Sequence, residues 1–577
     1  MFLPRVGAGL RDAIAEGYDR SRLRADILAG LTVGIVALPL AMALAIASGA
    51  PPQHGLYTVV VAGTVAALAG GSRVNVSGPT AAFVVVLLPV TQQFGLGGLL
   101  IATVMSGFIL VAMGLGRMGR FIELVPYPIT IGFTAGIGVV IATIQLKDFL
   151  GLPVATLGGD YVHKLTTLAH ALPGLQFDAL LVGAVTLAVL ILWPRTGVNV
   201  PRHLVALVAG SVVAAVGGLV PGFHVATIGS EFSWTVGGMS GSGIPPVAPV
   251  FDWPWNLPGS RGEPIGLSFD LVHALAGPAF AIAMLGAIES LLCAVVADGM
   301  AGTRHDPDAE LIGQGLGNVV APFFGGIPAT AAIARTATGI RAGATSPVAA
   351  IVHAAVVLLA VVSLAALLGR IPLAALAALL LVVAWNMSEA HHFLRILRVA
   401  PAGDRMVLVT VFLLTVLFDM VLAVAVGMVL AAVLFIKRSI DLTGTRPWKP
   451  EGHPHEVPVP DGVAVYDVNG PLFFGAAHKA LKILHHIDPH AGAVILDMRD
   501  VPLMDMTAIV VLESILQQLE RDRIPLVINE LEPRLLLKLR RAGLRRRPGR
   551  VEFGRTFADS VVRATRLAQR SADSGSA

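Results

Sequence analysis

Ser77-Gly-Pro-Thr-Ala-Ala-Phe83 and its echo Ile327-Pro-Ala-Thr-Ala-Ala-Ile333 decide the reading of this chain. Each is a Gly/Pro-broken entry into an apolar run too short to cross a bilayer alone, and each holds the same Thr-Ala-Ala. In a membrane protein, matched interrupted segments in two halves point to a binding site near the midplane, between structural repeats. The composition supplies the membrane setting. Of 577 residues, 55% are hydrophobic and only 14% charged, which is far too apolar for a soluble chain of this length.

Fourteen apolar segments follow. Twelve are runs at about 25–48, 56–69, 99–115, 129–146, 179–193, 204–220, 271–296, 311–324, 347–368, 372–387, 406–418 and 421–436; the broken pair, near 80–90 and 330–340, completes the set. Lys and Arg stay on the cytoplasmic side of short loops. With the N-terminus inside, alternate crossings put Arg73, Arg117, Arg120, Arg195, Arg202, Arg304, Arg341, Arg395, Arg398, Lys437 and Arg438 inside, with Lys147 and Arg370 as the main exceptions. The Gly-, Pro- and Trp-rich stretch 221–269 then falls outside as a periplasmic loop. Pro39 precedes Thr80 by 41 positions, and Glu289 precedes Thr330 by the same 41. Seven crossings per half make the second half inverted, so the spacing predicts an inverted repeat with discontinuous third and tenth helices.

Irregular backbone at membrane depth is tolerated only where it is buried in protein or lines a cavity. The orientation sends the helix after Thr80 outward and the helix after Thr330 inward. Two N-termini then face one point, where their free N–H groups and dipoles favour an anion. Thr80 and Thr330 are expected to add hydroxyl donors, with Ala81, Phe83 and Ala331 beside them. The competing reading is a pair of ordinary Pro-kinked helices. Arg335 lies five residues after Thr330, about a turn and a half along a helix starting there. A charge at that depth is a functional hypothesis by default: it raises the positive potential and pairs with a substrate carboxylate, or else it snorkels or neutralises Glu289. Glu289, in Gly286-Ala-Ile-Glu-Ser-Leu-Leu-Cys293, is the candidate proton-coupling residue, because desolvation favours the neutral form of a carboxyl group; a structural pairing competes with that role. Gln314 and Asn318 share a helix face and suit helix bridging.

Other classes find little support. No P-loop, metal-ligand spacing or paired nucleophile and base is present, so neither an enzyme nor a cofactor or metal is expected. The single Cys293 excludes an internal disulfide. Residues 1–24 carry five Arg but no apolar core with a cleavage site, which reads as a cytoplasmic lead-in. The net charge of +4 comes from membrane-flanking Arg and a basic C-terminal end; it suits lipid headgroups or an acidic protein rather than nucleic acid. After Arg438 the composition changes. The expected divisions are a transmembrane domain at 25–438, a linker at 439–460, a soluble domain at 461–570 and a disordered tail at 571–577. Strands at 463–468, 493–497 and 526–529 with helices at 476–487, 507–521 and 531–542 make the soluble part an α/β layer.

Pro52-Gln-His-Gly-Leu-Tyr57 followed by Gly71-Ser-Arg73 resembles the signature region of the SulP family of anion transporters, and Val463 to Leu544 resembles that family's C-terminal STAS domain. The resemblance implies an all-α membrane domain of fourteen segments in a seven-plus-seven inverted repeat, divided into core and gate domains as in uracil permeases, plus a cytoplasmic α/β STAS domain. It also implies a homodimer working by elevator-like motion, with Thr80 and Arg335 lining the anion site. Gly70-Gly-Ser-Arg73, Val76 to Phe83, Met284 to Cys293, Gly313 to Asn318, Arg341 to Pro347 and Trp385 to His391 look most like the proteobacterial dicarboxylate transporters of the family. That likeness implies proton-coupled uptake of succinate, fumarate or aspartate across a bacterial inner membrane with both termini cytoplasmic; sulfate or bicarbonate transport is the alternative. Asp497 to Thr507 resembles the loop that carries a phosphorylatable hydroxyl in related sigma-factor antagonists, which makes Thr507 a regulatory candidate, although Thr is also a good helix N-cap. Lys538, Arg540, Arg541 and Arg545 to Arg547 suit an acidic cytosolic protein or the inner leaflet. Two other classes compete: a membrane-anchored regulator with the STAS domain as its working part, and a nucleobase transporter, which a charged Arg335 fits poorly.

Overall fold

The computed structural model describes residues 5–120, 125–154, 157–198, 200–236, 238–418, 420–447, 457–481 and 491–575. The chain divides into two compact units, Met1–Met428 and Val429–Ala577.

The first unit begins with a short helix α1 (Ala8–Ala15), then α2 (Arg20–Ala47), α3 (Pro52–Ala69), strand β1 (Ser77–Gly78), α4 (Ala81–Leu115), α5 (Tyr127–Phe149), α6 (Tyr161–Ala171), α7 (Phe177–Leu192) and α8 (Arg202–Gly217). A loop with α9 (Ile228–Glu231) and the hairpin β2 (Ser233–Val236) and β3 (Met239–Ser242) connects to the second half. There follow α10 (Phe269–Ala301), α11 (Pro307–Val320), β4 (Thr330–Ala331), α12 (Ile333–Arg341), α13 (Val348–Leu368), α14 (Leu373–Met387), α15 (Ala390–Val399), α16 (Ala402–Leu417) and α17 (Met420–Leu442). Among the described residues, eight helices are long and apolar enough to cross a bilayer. The nine-residue α12 is not. Nor is the first part of α4, which ends where Gly95 adopts φ 73° and ψ −173°; a side chain there would also collide with the backbone of Gly259.

Counting α4 as two segments, α2 to α8 without α6 and α10 to α17 without α15 supply seven crossings each. The packing follows the duplication. α2 lies on α13, while α10, its counterpart, lies on α4, and α11 closes against α3 and α4. This is the core. Its helices approach closely at Gly107 and Gly315, where a Cβ on either would meet the other's carbonyl oxygen; small residues permit such contact between membrane helices. The gate packs separately, with α14 and α16 on α5 and α7 against α8 and α14.

The second unit carries a five-stranded sheet in the order β5 (Gly444–Pro447), β6 (Val463–Asn469), β7 (Ala493–Asp497), β8 (Leu526–Asn529), β9 (Val551–Gly554). β5 is antiparallel to β6 and the rest are parallel. Central β7 is buried along its whole length, as a parallel strand covered on both faces must be. α18 (Phe474–Leu481), α19 (Met506–Arg521) and α20 (Pro533–Arg541) are the helices of this unit that precede α21 (Phe557–Gly575). Ala477, Leu512, Ile515 and Leu539 belong to one core cluster, and Phe557, Val561 and Leu567 to the other.

Three expectations change here. The stretch expected as a linker begins with the end of α17 and continues into edge strand β5, because Gly444–Pro447 pairs with β6; residues 448–456 lie outside the described set. The stretch expected as a tail continues α21 as far as Gly575. β5, β9 and α21 extend the expected sheet and helices, and the continuation of α18 to Ile487 lies outside the described residues.

Candidate functional site

β1 and β4 meet inside the core as a two-residue antiparallel ladder, with Ser77 opposite Ala331 and Gly78 opposite Thr330. The Ala332 N–H lengthens it by donating to the Val76 carbonyl at 2.9 Å. Two interrupted helices thereby satisfy each other's backbone where water and lipid cannot. α4 leaves the ladder at Ala81 and α12 at Ile333.

The duplication holds, but the Thr-Ala-Ala echo is out of step with it. Thr330 begins β4 as Ser77 begins β1, whereas Thr80 stands at the N-cap of α4. The equal 41-position spacings therefore do not mark equivalent residues. Neither threonine hydroxyl is free. Thr80 Oγ1 donates to Glu289 Oε2 at 2.8 Å. Thr330 Oγ1 lies 2.7 Å from Ser290 Oγ and 3.2 Å from the Gly286 carbonyl. Both are taken up by α10, which corrects their expected role as open donors.

The anion signal lies in the helix starts. No side chain caps α4, and Ala332 at the N-cap of α12 has nothing to cap with. Ala81, Ala82 and Phe83 are nearly inaccessible. A buried helix start without a cap leaves N–H groups that call for a partner. Phe83 points into the core near Gly286 and Leu110, and Ala331 is a ladder residue whose N–H reaches Ser290 Oγ at 3.3 Å.

Arg335 is the third residue of α12, not a turn and a half along it, because the helix begins at Ile333. Its side chain is 4% exposed. Nη2 donates to the carbonyl of Pro79, across the ladder, and Nη1 has no partner among the described residues. Glu289 takes the Thr80 hydroxyl and forms no direct salt bridge with Arg335 among the described residues, while the two charges still act on each other through space. Thr80, Ala81, Glu289, Thr330, Ala331 and Arg335 come together. Thr507, in the other unit, stands at the second position of α19, whose N-cap is Asp505, with its carboxylate accepting from Ala508 N–H at 2.8 Å.

A polar frame of which the sequence reading named only Gln314 and Asn318 holds the crossing in place. Glu310 Oε2 accepts from the N–H groups of Gly71 and Ser72, both at 2.9 Å, and Oε1 from Asn75 Nδ2 at 2.8 Å and Gln314 Nε2 at 3.2 Å. Gln314 Nε2 also reaches Ser77 Oγ at 2.5 Å. Asn318 clamps the backbone of Ala329, donating to its carbonyl at 2.9 Å and accepting from its N–H at 2.7 Å. Thr336 Oγ1 accepts from Val76 N–H at 3.0 Å. The signal was present: Glu310, Gln314 and Asn318 recur every four residues along one face of α11. At the far side of loop 70–75, α1 is held by Gly7 N–H to the Ala69 carbonyl and by an Arg73–Glu16 pair with contacts of 2.5 and 2.6 Å. His353 on α13 was also missed; it is 1% exposed, with neither ring nitrogen partnered among the described residues.

Core and gate bundles, a crossing of two broken helices and a buried Arg define a membrane transport protein of the inverted-repeat class. The chain belongs to the Sulfate permease family, whose model matches residues 23–411, with a STAS domain matched at 455–561. That sets it among transport proteins, not enzymes. YvdB of Bacillus subtilis (strain 168), whose name assigns it provisionally to sulfate transport, is 40% identical over 93% of this chain and 97% of its own. The bicarbonate transporter BicA of Picosynechococcus sp. is 31% identical over 87% of this chain and 88% of its own. In fold, the murine Solute Carrier 26 family member A9 anion transporter in its inward-facing state matches with a TM-score of 0.81 at 18% identity, covering 97% of this chain and 94% of that one.

Proposed function

We propose that this protein is a secondary active transporter of small anions in a bacterial inner membrane, taking up four-carbon dicarboxylates such as succinate, fumarate and aspartate together with a proton. The observation that carries the reading is the unpartnered Nη1 of Arg335 beside a buried, uncapped helix start. One carboxylate takes the free guanidinium nitrogen and the first N–H groups of α4, where a preorganised charge needs no rearrangement. Glu289 is the coupling group. Its hydrogen bond from Thr80 ties its protonation to the residue that opens α4, so adding a proton changes the site's charge and its hydrogen bonding at once. The transmembrane domain of residues 25–438 acts as a homodimer, with the core carrying the site past the gate, and both termini are cytoplasmic. The STAS domain of residues 461–570 is the regulatory part, with Thr507 as its modifiable hydroxyl and the basic surface around α20 as the face for an acidic cytosolic protein.

Dicarboxylate specificity rests on the motif likeness to the proteobacterial transporter DauA. Sulfate or bicarbonate is the second reading, favoured by what YvdB and BicA are named for. Purified protein in liposomes, given labelled succinate, fumarate, sulfate and bicarbonate with and without an inward proton gradient, separates the two. Succinate or fumarate uptake that rises with the gradient is the expected result. Uptake of sulfate or bicarbonate with no dicarboxylate moving transfers the assignment to the second reading.

A further inference from the structure

The transmembrane unit also holds a cavity, largely apolar but with polar groups on its wall, away from the ladder. It has a volume of about 260 Å³ and lies where the C-terminal end of α2 and the first part of α4, both core elements, face the end of gate helix α5 and the loop after it. That is the end of α2 remote from the N-terminal segment. Leu88 and Gln92, which line it, are eight and twelve residues beyond Thr80 on α4, so the cavity is about 12–18 Å along that helix from the crossing.

Its polar lining is Thr91, Gln92, Gln145, Lys147 and Asp148. Two of these hydroxyl and amide groups are committed: Thr91 Oγ1 donates to the Leu87 carbonyl at 2.9 Å, and Gln92 Nε2 to the Leu157 carbonyl at 3.3 Å. Gln145 is not. The residue is 4% exposed, lines the cavity and has no side-chain hydrogen bond among the described residues. An amide that opens onto a cavity with no protein partner is available to a ligand or water. Lys147 is one of the two main cations, with Arg370, that the charge pattern could not place inside. Its Nζ lies 3.3 Å from Asp148 Oδ1, with a quarter of the side chain exposed. A neighbouring carboxylate orients the ammonium without consuming its three donors, and the ammonium makes the pocket a poor one for a cation.

We propose that this cavity is an anion-capture site in series with the crossing, in which Lys147 and the Gln145 amide hold the transported carboxylate or oxyanion in the seam between core and gate. The inference rests on the transporter reading above, but not on which anion is carried. A site through which the ligand must pass has to be weak, and Asp148 supplies that weakness by sharing the ammonium. The volume sits just below the roughly 300 Å³ at which ligand pockets begin, which suits a small anion.

Two measurements test it on the full-length protein. In liposomes, with whichever of labelled succinate, sulfate or bicarbonate the wild type moves, Lys147→Gln is expected to raise KM about tenfold for entry from the Lys147 side, the scale of one charge-assisted hydrogen bond. KM from the opposite side stays unchanged, and Lys147→Arg keeps the wild-type value. The double change Lys147→Gln with Asp148→Asn removes both charges, and the same one-sided rise is expected if the single variant misfolds. The second readout needs no transport. Because the native Cys293 is buried, Gln145→Cys offers one accessible thiol, and succinate or sulfate is expected to slow its reaction with an anionic thiosulfonate even when Arg335 is changed to Ala. Protection without transport would leave the capture site standing while the transporter reading fell. Transport with neither protection nor a one-sided change in KM would overturn the capture site alone.

Discussion

The guanidinium of Arg335 hydrogen-bonds the carbonyl of Pro79, the residue before the N-cap of α4, and so links the two broken segments across the ladder. One Arg thus holds the opposite segment with Nη2 and keeps Nη1 available. Arg335→Ala is expected to raise the substrate KM by about 10- to 100-fold, the scale of losing a hydrogen bond to a charged partner. Arg335→Lys recovers little of it, because a single ammonium cannot serve two directions. Uptake kinetics of the two variants check this.

Gly78 makes that arm possible. A Cβ at Gly78 would collide with Arg335 Nη1 and crowd Val59. Gly78→Ala is expected to lower kcat/KM about tenfold or more through a displaced guanidinium, together with some loss of Tm, because Gly78 stands at φ 158°, where a side chain is strained. A fall in Tm with unchanged kinetics would count against this account.

Glu310 answers for the rigidity of the crossing. Its carboxylate accepts four hydrogen bonds, and the residue is 2% exposed. Glu310→Ala strands buried donors and is expected to destabilise the protein by roughly 3 kcal/mol or more. Glu310→Gln costs less, since the amide keeps one acceptor but turns its N–H groups on donors. Thermal unfolding in detergent ranks the two.

His353 predicts the opposite sign. With both ring nitrogens unpartnered in the core, His353→Leu removes polar atoms that pay nothing back and is expected to stabilise by about 1 kcal/mol. A higher Tm checks it.

The hold on α1 depends on pH. The hydrogen bond from Arg73 lowers the Glu16 carboxyl from its usual range, with help from the charges of Arg73 and Arg22 and against an opposing effect of desolvation. A carboxylate acidified by folding adds stability above its unfolded pKa of about 4.3 and loses it as pH falls through the lower folded value. The protection factor of the α1 amides, the exchange rate of a free chain at the same pH divided by theirs, should therefore be constant from neutral pH down to about 5, then fall in more acid buffer. Because Glu16 is exposed, high salt should weaken that protection at neutral pH, and Arg73→Gln should do so at neutral pH but have little effect once acid has protonated Glu16.

Much of the architecture was legible in the chain. Apolar run lengths, the placement of Arg at loop ends and two Pro-broken segments fix the count of crossings, because the bilayer imposes a length and a charge rule on every segment independently. Arg335 and Glu289 stood out for the same reason: a charge inside an apolar run needs an explanation whatever its neighbours are. The register of the repeat was not legible. Thr-Ala-Ala matched Thr80 to Thr330, but strand pairing set Thr330 against Gly78 and started α12 at Ile333, since a ladder is decided by partners hundreds of residues apart. Glu310 stands in the first turn of α11, where an acid is common, and only packing delivered four donors to it.

The sequence by itself determined that this is a membrane protein of two inverted halves, with a soluble α/β domain and an intramembrane Arg, because those properties follow from local composition and period. Tertiary structure alone decided which threonine opens a helix, where the Arg335 side chain reaches, that both hydroxyls belong to α10, and that Gln145 and Lys147 share a cavity. These are long-range contacts, and no residue carries in its own identity the list of atoms that will surround it.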